Sequence, residues 1–248
     1  MDWLTPTDYA TQQSDLLSRR QEGTGLWLLQ SDDFHAWQTQ DRKTLFCPGI
    51  PGAGKTFITS IVVDHLCTEY QNDASIAVIY LFCNFRRQQE QTPTDLLLSL
   101  LKQLTQERTS VPDCVQALHV LHKDKRTRPS LIEIVKAIKQ ILAEFSKTYI
   151  MVDALDEYQV PDGGRDKFLK QLFDFQNQSN VNLFMTARPI PEIQGYFEGC
   201  TRLGIRADRE DILQFIDGRM SRLPSFVTRN LALQEEIKDI VADSVDGM

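Results

Sequence analysis

The residues Gly49, Gly54, Lys55 and Thr56 have the spacing GxxxxGK[ST] of a phosphate-binding loop. Glycines in such a loop let successive backbone N–H groups turn towards a phosphate, because a Cβ would block its approach. We expect the lysine to reach the β- and γ-phosphates of a nucleotide, and the threonine hydroxyl to bind Mg²⁺. The predicted nucleotide contacts come from one run: Gly49, Ile50, Pro51, Gly52, Ala53, Gly54, Lys55, Thr56 and Phe57.

The segments on either side of this loop have the periodicity that the motif requires. Residues 44–48 form a short apolar run with β character. After the loop, apolar residues recur at helical spacing, at Ile58, Ile61, Val62 and Leu66. Strand, glycine loop and helix therefore follow in the required order, and the positive end of the helix dipole is expected near the phosphates.

A second apolar segment, residues 147–153, ends in a carboxylate and predicts a buried parallel strand. Asp153 at its carboxyl end is the candidate ligand of Mg²⁺. Two further carboxylates follow closely, at Asp156 and Glu157. Either could polarise the attacking water as a general base, and their spacing leaves the choice between them open.

A third predicted strand, residues 182–187, ends at Arg188. The nucleotide crevice of an open α/β sheet lies at the carboxyl ends of its strands. A guanidinium in that position could sense the γ-phosphate through paired hydrogen bonds. Arg188 is therefore a third candidate catalytic residue, with Asp156 and Glu157.

The runs GIPGAGKT, IMVDALDE and LFMTARP together resemble a NACHT-type nucleotide-binding domain of the STAND NTPases. A small residue after the metal-binding aspartate, here Ala154, is part of that resemblance. The run GTGLWLL at 23–29, with Phe34 and Trp37 following, resembles the lead-in of fungal NACHT proteins and of nephrocystin-like N-terminal domains. The run ADREDI at 207–212 resembles the entry to their helical lid, and Gly247 and Met248 resemble the start of a motif that continues.

This resemblance implies a function that the residues alone do not give. It implies ATP or ADP with Mg²⁺ as the ligand, whereas no residue distinguishes adenine from guanine. It implies a cytoplasmic signalling switch that hydrolyses ATP slowly and self-associates when loaded with nucleotide. Further effector and repeat domains are expected elsewhere in a larger NLR-like protein.

Two other functions remain open. The first is a work-performing P-loop ATPase of AAA+ type, although such a chain normally places glutamate directly after the metal-binding aspartate, where this one has Ala154. The second is a nucleotide-binding scaffold without turnover, although every phosphate and metal position of the motifs holds a competent residue. No NKxD motif of a GTPase is present.

Composition narrows the partners. The net charge of −7 argues against a nucleic-acid surface. The basic run 123–128 is predicted to be a solvated loop.

The longest apolar run, 76–83, is too short to cross a membrane. Five scattered cysteines favour a reduced protein, and His119 with His122 lacks the further ligands of a zinc site.

Alternation of strands and helices predicts a doubly wound parallel sheet with right-handed crossovers. By resemblance to the ASCE group of P-loop proteins, we expect the order 5-1-4-3-2, with the strand before Arg188 between the other two. We expect three regions: helical lead-in residues 1–43, a nucleotide-binding domain at 44–207, and the start of a lid at 208–248 that continues beyond Met248.

Overall fold

A computed structural model of the chain describes residues 3–158 and 163–245. Within these ranges five strands form one sheet in which every pairing is parallel. The strands are β1 (Thr44–Pro48), β2 (Ile76–Phe82), β3 (Lys147–Asp153), β4 (Val181–Ala187) and β5 (Thr201–Arg202). Their order is β2-β3-β4-β1-β5, which is the predicted 5-1-4-3-2 read from the opposite edge.

The strand order places the predicted site residues side by side. β4 lies between β1 and β3, as the sequence predicts for the strand that precedes Arg188. Pro48 of β1 is level with Ala187 of β4, and Val152 of β3 is level with Met185. The carboxyl ends of β1, β3 and β4 therefore meet at one edge of the sheet, where a doubly wound fold binds its ligand.

Helices cover both faces of the sheet, so the central strands are buried on both sides. Leu45 and Cys47 pack with the helix that follows the loop, whereas Phe46 faces the larger core on the opposite side. The α-helices before β2 are α1 (Tyr9–Arg19), α2 (Leu26–Leu29), α3 (Asp32–Thr39) and α4 (Lys55–Glu69). Those between β2 and β4 are α5 (Pro93–Gln106), α6 (Asp113–Lys123), α7 (Leu131–Leu142) and α8 (Gly164–Gln178).

Four further helices follow β4. They are α9 (Pro191–Gln194), α10 (Arg209–Met220), α11 (Ser225–Thr228) and α12 (Leu231–Val245). Short 3-10 turns occupy Phe85–Glu90, Leu155–Glu157 and Gly195–Phe197. The described residues after Asp208 are helical apart from short connections, as predicted, and no described helix is long and apolar enough to cross a membrane.

The sequence pattern predicts a first helix at about 7–19, a short helix capped by Ser31, a second strand at about 74–82, a loop at 160–165 and a short strand near 202–205. Several of these boundaries differ in the structure. The first helix begins at Tyr9 rather than Thr7, because the Asp8 side chain caps it by accepting from the N–H of Ala10. The second strand begins at Ile76 rather than Ala74. The predicted strand at 202–205 is shorter, Thr201–Arg202, although two more hydrogen bonds to β1 follow it. The predicted loop at 160–165 and the run at 247–248 lie wholly or partly outside the described residues.

Hydrogen bonds from buried polar side chains hold α3 against the sheet. The indole N–H of Trp37 donates to the carbonyl of Leu183, at 2.9 Å. The buried amide of Asn182 donates to the carbonyls of Trp37 and Gln40. Ser31 caps α3 as predicted, by accepting from the N–H of Phe34. The helix before β1 is thus held against the strands that carry the site.

Candidate functional site

The loop between β1 and α4 contains two glycines with left-handed backbone, with φ of 85° at Gly52 and 90° at Gly54. L side chains rarely adopt this conformation. A Cβ built at either position meets no described atom within 4 Å, so the space beside both is open to a ligand. A Cβ at Gly49 would instead lie 2.9 Å from the carbonyl oxygen of Ile205. The first glycine of the motif therefore lets the chain after β5 cross the start of the loop.

Helix α4 starts at the loop without a side-chain cap from any described residue, since its N-cap is Gly54. The first N–H groups of a helix have no partner within the helix. Together with the helix dipole they provide a binding site for an anion. The Phe57 side chain packs against the larger core, so only its backbone is suited to the phosphate contact predicted for it.

Lys55 folds back over the loop. Its ammonium group donates to the carbonyl of Gly49 at 2.8 Å and to that of Ile50 at 2.9 Å. Partial burial lowers the pKa of Lys55, and the nearby carboxylates of Asp156 and Asp153 oppose that shift. The charge of the lysine is thus held at the loop, within the field of two acidic residues.

Asp153 is almost fully buried and is held by three hydroxyl groups. Thr56 donates to its Oδ2 at 2.7 Å, while Thr186 and Thr59 donate to its Oδ1 at 2.7 Å and 3.1 Å. Burial raises the pKa of Asp153, and the hydrogen bonds from Thr186, Thr56 and Thr59 oppose that rise. Thr56 and Asp153, the two predicted Mg²⁺ ligands, are therefore in direct contact.

Asp156 and Glu157 have different surroundings because of the turn after β3. Ala154 has a positive φ of 52°, and its carbonyl accepts from the N–H of Glu157 at 2.8 Å. The N–H of Ala154 itself donates to the Thr186 hydroxyl at 2.9 Å. This tight turn buries Asp156, whereas Glu157 stays partly exposed.

Arg188 forms an ion pair with the buried carboxylate of Asp156. Its backbone N–H donates to Oδ1 of Asp156 at 2.9 Å, and its Nε donates to Oδ2 at 2.6 Å. The arginine side chain is 45% exposed, while that of its partner is 2% exposed. The ion pair fixes Nε of the guanidinium at the edge of the sheet. The exposed part of the Arg188 side chain faces solvent, where a ligand has access.

Glu157 lies beside the end of β2, where its Oε2 accepts from the N–H of Phe85 at 3.2 Å. The N–H of Cys83 donates to the carbonyl of Asp153, so the chain leaving β2 follows β3 to its end. Of the two candidate bases, Asp156 is thus committed to an ion pair and Glu157 to a backbone N–H.

Sequence reasoning missed Thr59 and Thr186 as partners of Asp153. Thr59 lies one helical turn after Thr56 and on the same face of α4. The three-residue spacing in the sequence therefore indicates that the two hydroxyls are neighbours. Thr186 precedes Arg188 by two residues and faces Asp153 only because β3 and β4 are neighbours. The predicted residues of the loop, Asp153, Glu157, Asp156 and Arg188 otherwise converge at the same sheet edge.

The residues present fit a nucleotide with Mg²⁺. Hydroxyl and carboxylate oxygens such as those of Thr56 and Asp153 suit this hard cation. The open space beside Gly52 and Gly54 and the uncapped start of α4 fit phosphate oxygens. Among the described residues there is no group of three or more His, Cys, Asp or Glu side chains that could hold a metal ion.

Residues 23–188 match the family described as Nephrocystin 3, N-terminal. The chain belongs to this family. The match begins at the Gly-Thr-Gly turn that precedes α2 and ends at Arg188, so it contains every predicted site residue. A direct comparison with curated protein sequences gave no match.

This nephrocystin 3 N-terminal domain has the fold of a solved Walker-type ATPase. A Walker-type ATPase of Pyrococcus abyssi is similar with a TM-score of 0.54 and 13% identity over 90% of this chain. The chain spans 64% of the length of that ATPase. Domain III of the Thermotoga maritima replication initiation protein DnaA matches with a TM-score of 0.49 and 13% identity, over 93% of this chain and 80% of that one.

Proposed function

We propose that this domain is an ATP-binding, slowly hydrolysing switch of the NACHT/STAND type. The observation that carries the proposal is the contact between Thr56 and Asp153, at 2.7 Å, beside an open glycine loop. A hydroxyl and a carboxylate that meet at the start of an uncapped helix match what Mg²⁺ and a triphosphate require.

Each residue at the sheet edge has a role in this proposal. The loop N–H groups and Lys55 bind the phosphates, and Lys55 exchanges its two loop carbonyls for phosphate oxygens. Thr56 and Asp153 hold Mg²⁺, which when bound neutralises charge on the phosphate oxygens. Thr59 and Thr186 orient the carboxylate of Asp153 by donating hydrogen bonds to it, as the neighbours of a metal ligand commonly do.

Glu157 is the stronger candidate for the general base. A base must keep a carboxylate oxygen within hydrogen-bond reach of the attacking water. Both oxygens of the buried Asp156 accept from Arg188, whereas the one described hydrogen bond of the Glu157 carboxylate is accepted from a backbone N–H at 3.2 Å. We assign to Asp156 the task of placing Arg188, whose exposed end would contact the γ-phosphate.

The switch is favoured over a motor by the residue after Asp153. A motor ATPase normally has its catalytic glutamate there, but Ala154 occupies the position and has left-handed backbone. From the resemblance to NACHT proteins we also propose that the domain self-associates and that effector and repeat domains accompany it. The same proposal places it in a fungal, cytoplasmic protein. The proposal further includes ATP rather than GTP as the ligand and no nucleic-acid partner. It also includes the division of the chain into regions 1–43, 44–207 and 208–248.

Nucleotide binding tests the proposal directly. Protein purified without added nucleotide is denatured, and any released nucleotide is identified by chromatography and mass. Calorimetric titration with ATP and ADP then compares Lys55→Ala with Lys43→Ala, a matched loss of charge at the exposed start of β1. We expect the first variant alone to lose tight Mg²⁺–nucleotide binding, and unchanged affinity in Lys55→Ala would reject the phosphate-loop assignment.

Turnover separates the three functions. P-loop proteins that lack a supplied arginine hydrolyse at roughly 10⁻⁴–10⁻² s⁻¹, and we expect this range for the isolated chain. Sustained turnover above about 1 s⁻¹ would favour the motor, because an arginine supplied in place adds roughly 10³–10⁵-fold. Tight binding with no hydrolysis at all would favour the scaffold.

A further inference from the structure

A carboxylate on α10 ties this helix to the segment that precedes the nucleotide domain. The Oδ2 of Asp211 accepts from the backbone N–H of Gly25 at 2.9 Å, across 186 residues of sequence. Gly25 ends the Gly-Thr-Gly turn, whose backbone is left-handed at both glycines. Burial raises the pKa of Asp211, and the hydrogen bond from Gly25 opposes that rise.

The same turn lies directly on the helix that follows the phosphate-binding loop. A Cβ at Gly25 would lie 2.5 Å from Cδ1 of Ile61 and 3.0 Å from Cδ1 of Ile58. The N–H of Ile58 bonds to the carbonyl of Gly54, so Ile58 belongs to the first turn of α4. The turn is therefore clamped between the start of α4 on one side and α10 on the other.

Two side chains before the turn strengthen the clamp. Arg20 donates from Nε and Nη2 to the carbonyl of Thr24, at 3.1 Å and 2.6 Å. The Gln21 amide lies over Gly218 of α10, within 2.0 Å of where a Cβ would be. Glycine inside a helix is unfavourable, and here it gives the lead-in segment room to approach α10 closely.

The chain that leads into α10 touches the phosphate-binding loop as well. The N–H of Ile205 donates to the carbonyl of Pro48 at 2.7 Å, and Gly49 lies against the backbone of Ile205. Helix α10 is thus connected to both ends of the phosphate-binding loop. Gly49 provides the connection at the start of the loop, and the Gly-Thr-Gly turn beside α4 provides the one at its end.

We propose that Asp211 is a positioning residue that holds α10 closed against the Gly-Thr-Gly turn and so slows nucleotide release from the loop. This inference rests on the proposed function, since it concerns the same nucleotide site. When the Asp211–Gly25 hydrogen bond is absent, α10 and the turn separate, and the first turn of α4 loses its support at Ile58. Dissociation of nucleotide then accelerates, whereas association at the open loop changes little.

The test compares three variants of the whole chain. Asp211→Ala removes the acceptor, Asp211→Asn keeps an amide oxygen in its place, and Glu210→Ala removes a neighbouring exposed carboxylate with no described hydrogen bond to the turn. Hydrogen exchange is followed in ligand-free protein over the peptides containing residues 20–30 and 205–220. Stopped-flow fluorescence gives the association and release rates of a fluorescent ADP analogue.

We expect Asp211→Ala to exchange faster at the Gly25 amide and to release the analogue about 10-fold faster, the scale of one lost hydrogen bond to a charged group. Asp211→Asn should stay within about 3-fold of wild type, and Glu210→Ala should match it. Unchanged exchange and release in Asp211→Ala would overturn the inference, as would an equal loss in Asp211→Asn. If wild type binds no ADP analogue, the proposed function fails, and the inference falls with it even if exchange shows the contact between the turn and α10.

Discussion

The hydroxyl of Thr186 donates to Oδ1 of Asp153 at 2.7 Å and accepts from the N–H of Ala154 at 2.9 Å. One side chain of β4 therefore orients the carboxylate at the end of β3 and also fixes the turn that follows it. Because Asp153 is almost completely buried, its carboxylate depends on such donors for its orientation.

Thr186→Val should weaken Mg²⁺-dependent nucleotide binding by roughly 10–100-fold, the usual effect of removing a hydrogen bond that orients a metal ligand. Binding of nucleotide without metal should change much less, since the role proposed for Asp153 is to hold the ion rather than the phosphates. Calorimetry with and without Mg²⁺ measures both affinities, and Thr186→Ser, which keeps the hydroxyl, is the matched control. Equal losses with and without metal would show that the effect is on folding rather than on the metal ligand.

Glu157→Gln and Asp156→Asn should separate the base from the residue that places Arg188. The glutamine variant should keep its ATP affinity and lose at least about 10²-fold in single-turnover hydrolysis, the usual scale for a general base. The asparagine variant should unfold at a lower temperature, because its neutral amide forms no ion pair and has one acceptor oxygen for the two bonds from Arg188. The opposite pattern, with hydrolysis lost in Asp156→Asn and retained in Glu157→Gln, would transfer the base role to Asp156.

The chemistry at the strand ends could be predicted from sequence because it depends on short-range patterns. Residues 49–56 define a loop by their own spacing, and the apolar runs before Asp153 and Arg188 define buried strands. In a parallel sheet all carboxyl ends lie at one edge, so three strand ends predict one site without any knowledge of distances. The position of β4 between β1 and β3 came from the family resemblance and is confirmed.

Other features of the site could not be predicted, because they depend on register between distant segments. Thr186 faces Asp153, and Asp156 pairs with Arg188, only through the alignment of β3 with β4. The close packing of Gly49 against Ile205 requires the path of the chain after β5. The buried amide of Asn182 interrupts a strand that reads as apolar, and its acceptors are the carbonyls of Trp37 in α3 and of Gln40 directly after that helix.

Lys147 should contribute to stability although it lies far from the site. Its ammonium group donates to the carbonyls of Gln38, Thr39 and Gln40, where α3 ends, and the residue is only 9% exposed. Lys147→Met should lower the free energy of unfolding by about 1.5–3 kcal/mol, because carbonyls lose charged donors in a buried place. Urea denaturation measures this, and the exposed control Lys43→Met should stay within about 0.5 kcal/mol of wild type.

The start of α7 should make part of the stability depend on acid pH. Ser130 donates from its hydroxyl and its N–H to Glu133, and these bonds, with a smaller effect of His122, lower the pKa of Glu133. A carboxyl whose pKa is lowered by folding stabilises the protein above its unfolded value of about 4.3, and that contribution is lost as pH falls through the folded value. The melting temperature of wild type should therefore exceed that of Glu133→Gln at neutral pH, and the difference should shrink with acidification.

The exposed Glu192, which is in the first turn of α9, provides the control for that comparison. The difference between wild type and Glu192→Gln should vary less with pH. A wild-type advantage over Glu133→Gln that persists unchanged through acid pH would contradict the assignment to ionisation of Glu133.

Arg188→Ala should have two effects that can be measured apart. The guanidinium is the group proposed to contact the γ-phosphate, so its removal should reduce the preference for ATP over ADP in paired titrations. It also removes the Nε contact to the buried carboxylate of Asp156, at a cost of about 1–3 kcal/mol in unfolding free energy. Arg188→Lys keeps the charge but cannot reproduce the Nε contact, and it should recover part of the stability. If Arg188→Ala loses stability while its ATP-to-ADP preference stays at the wild-type value, Arg188 acts only through Asp156 and does not sense the γ-phosphate.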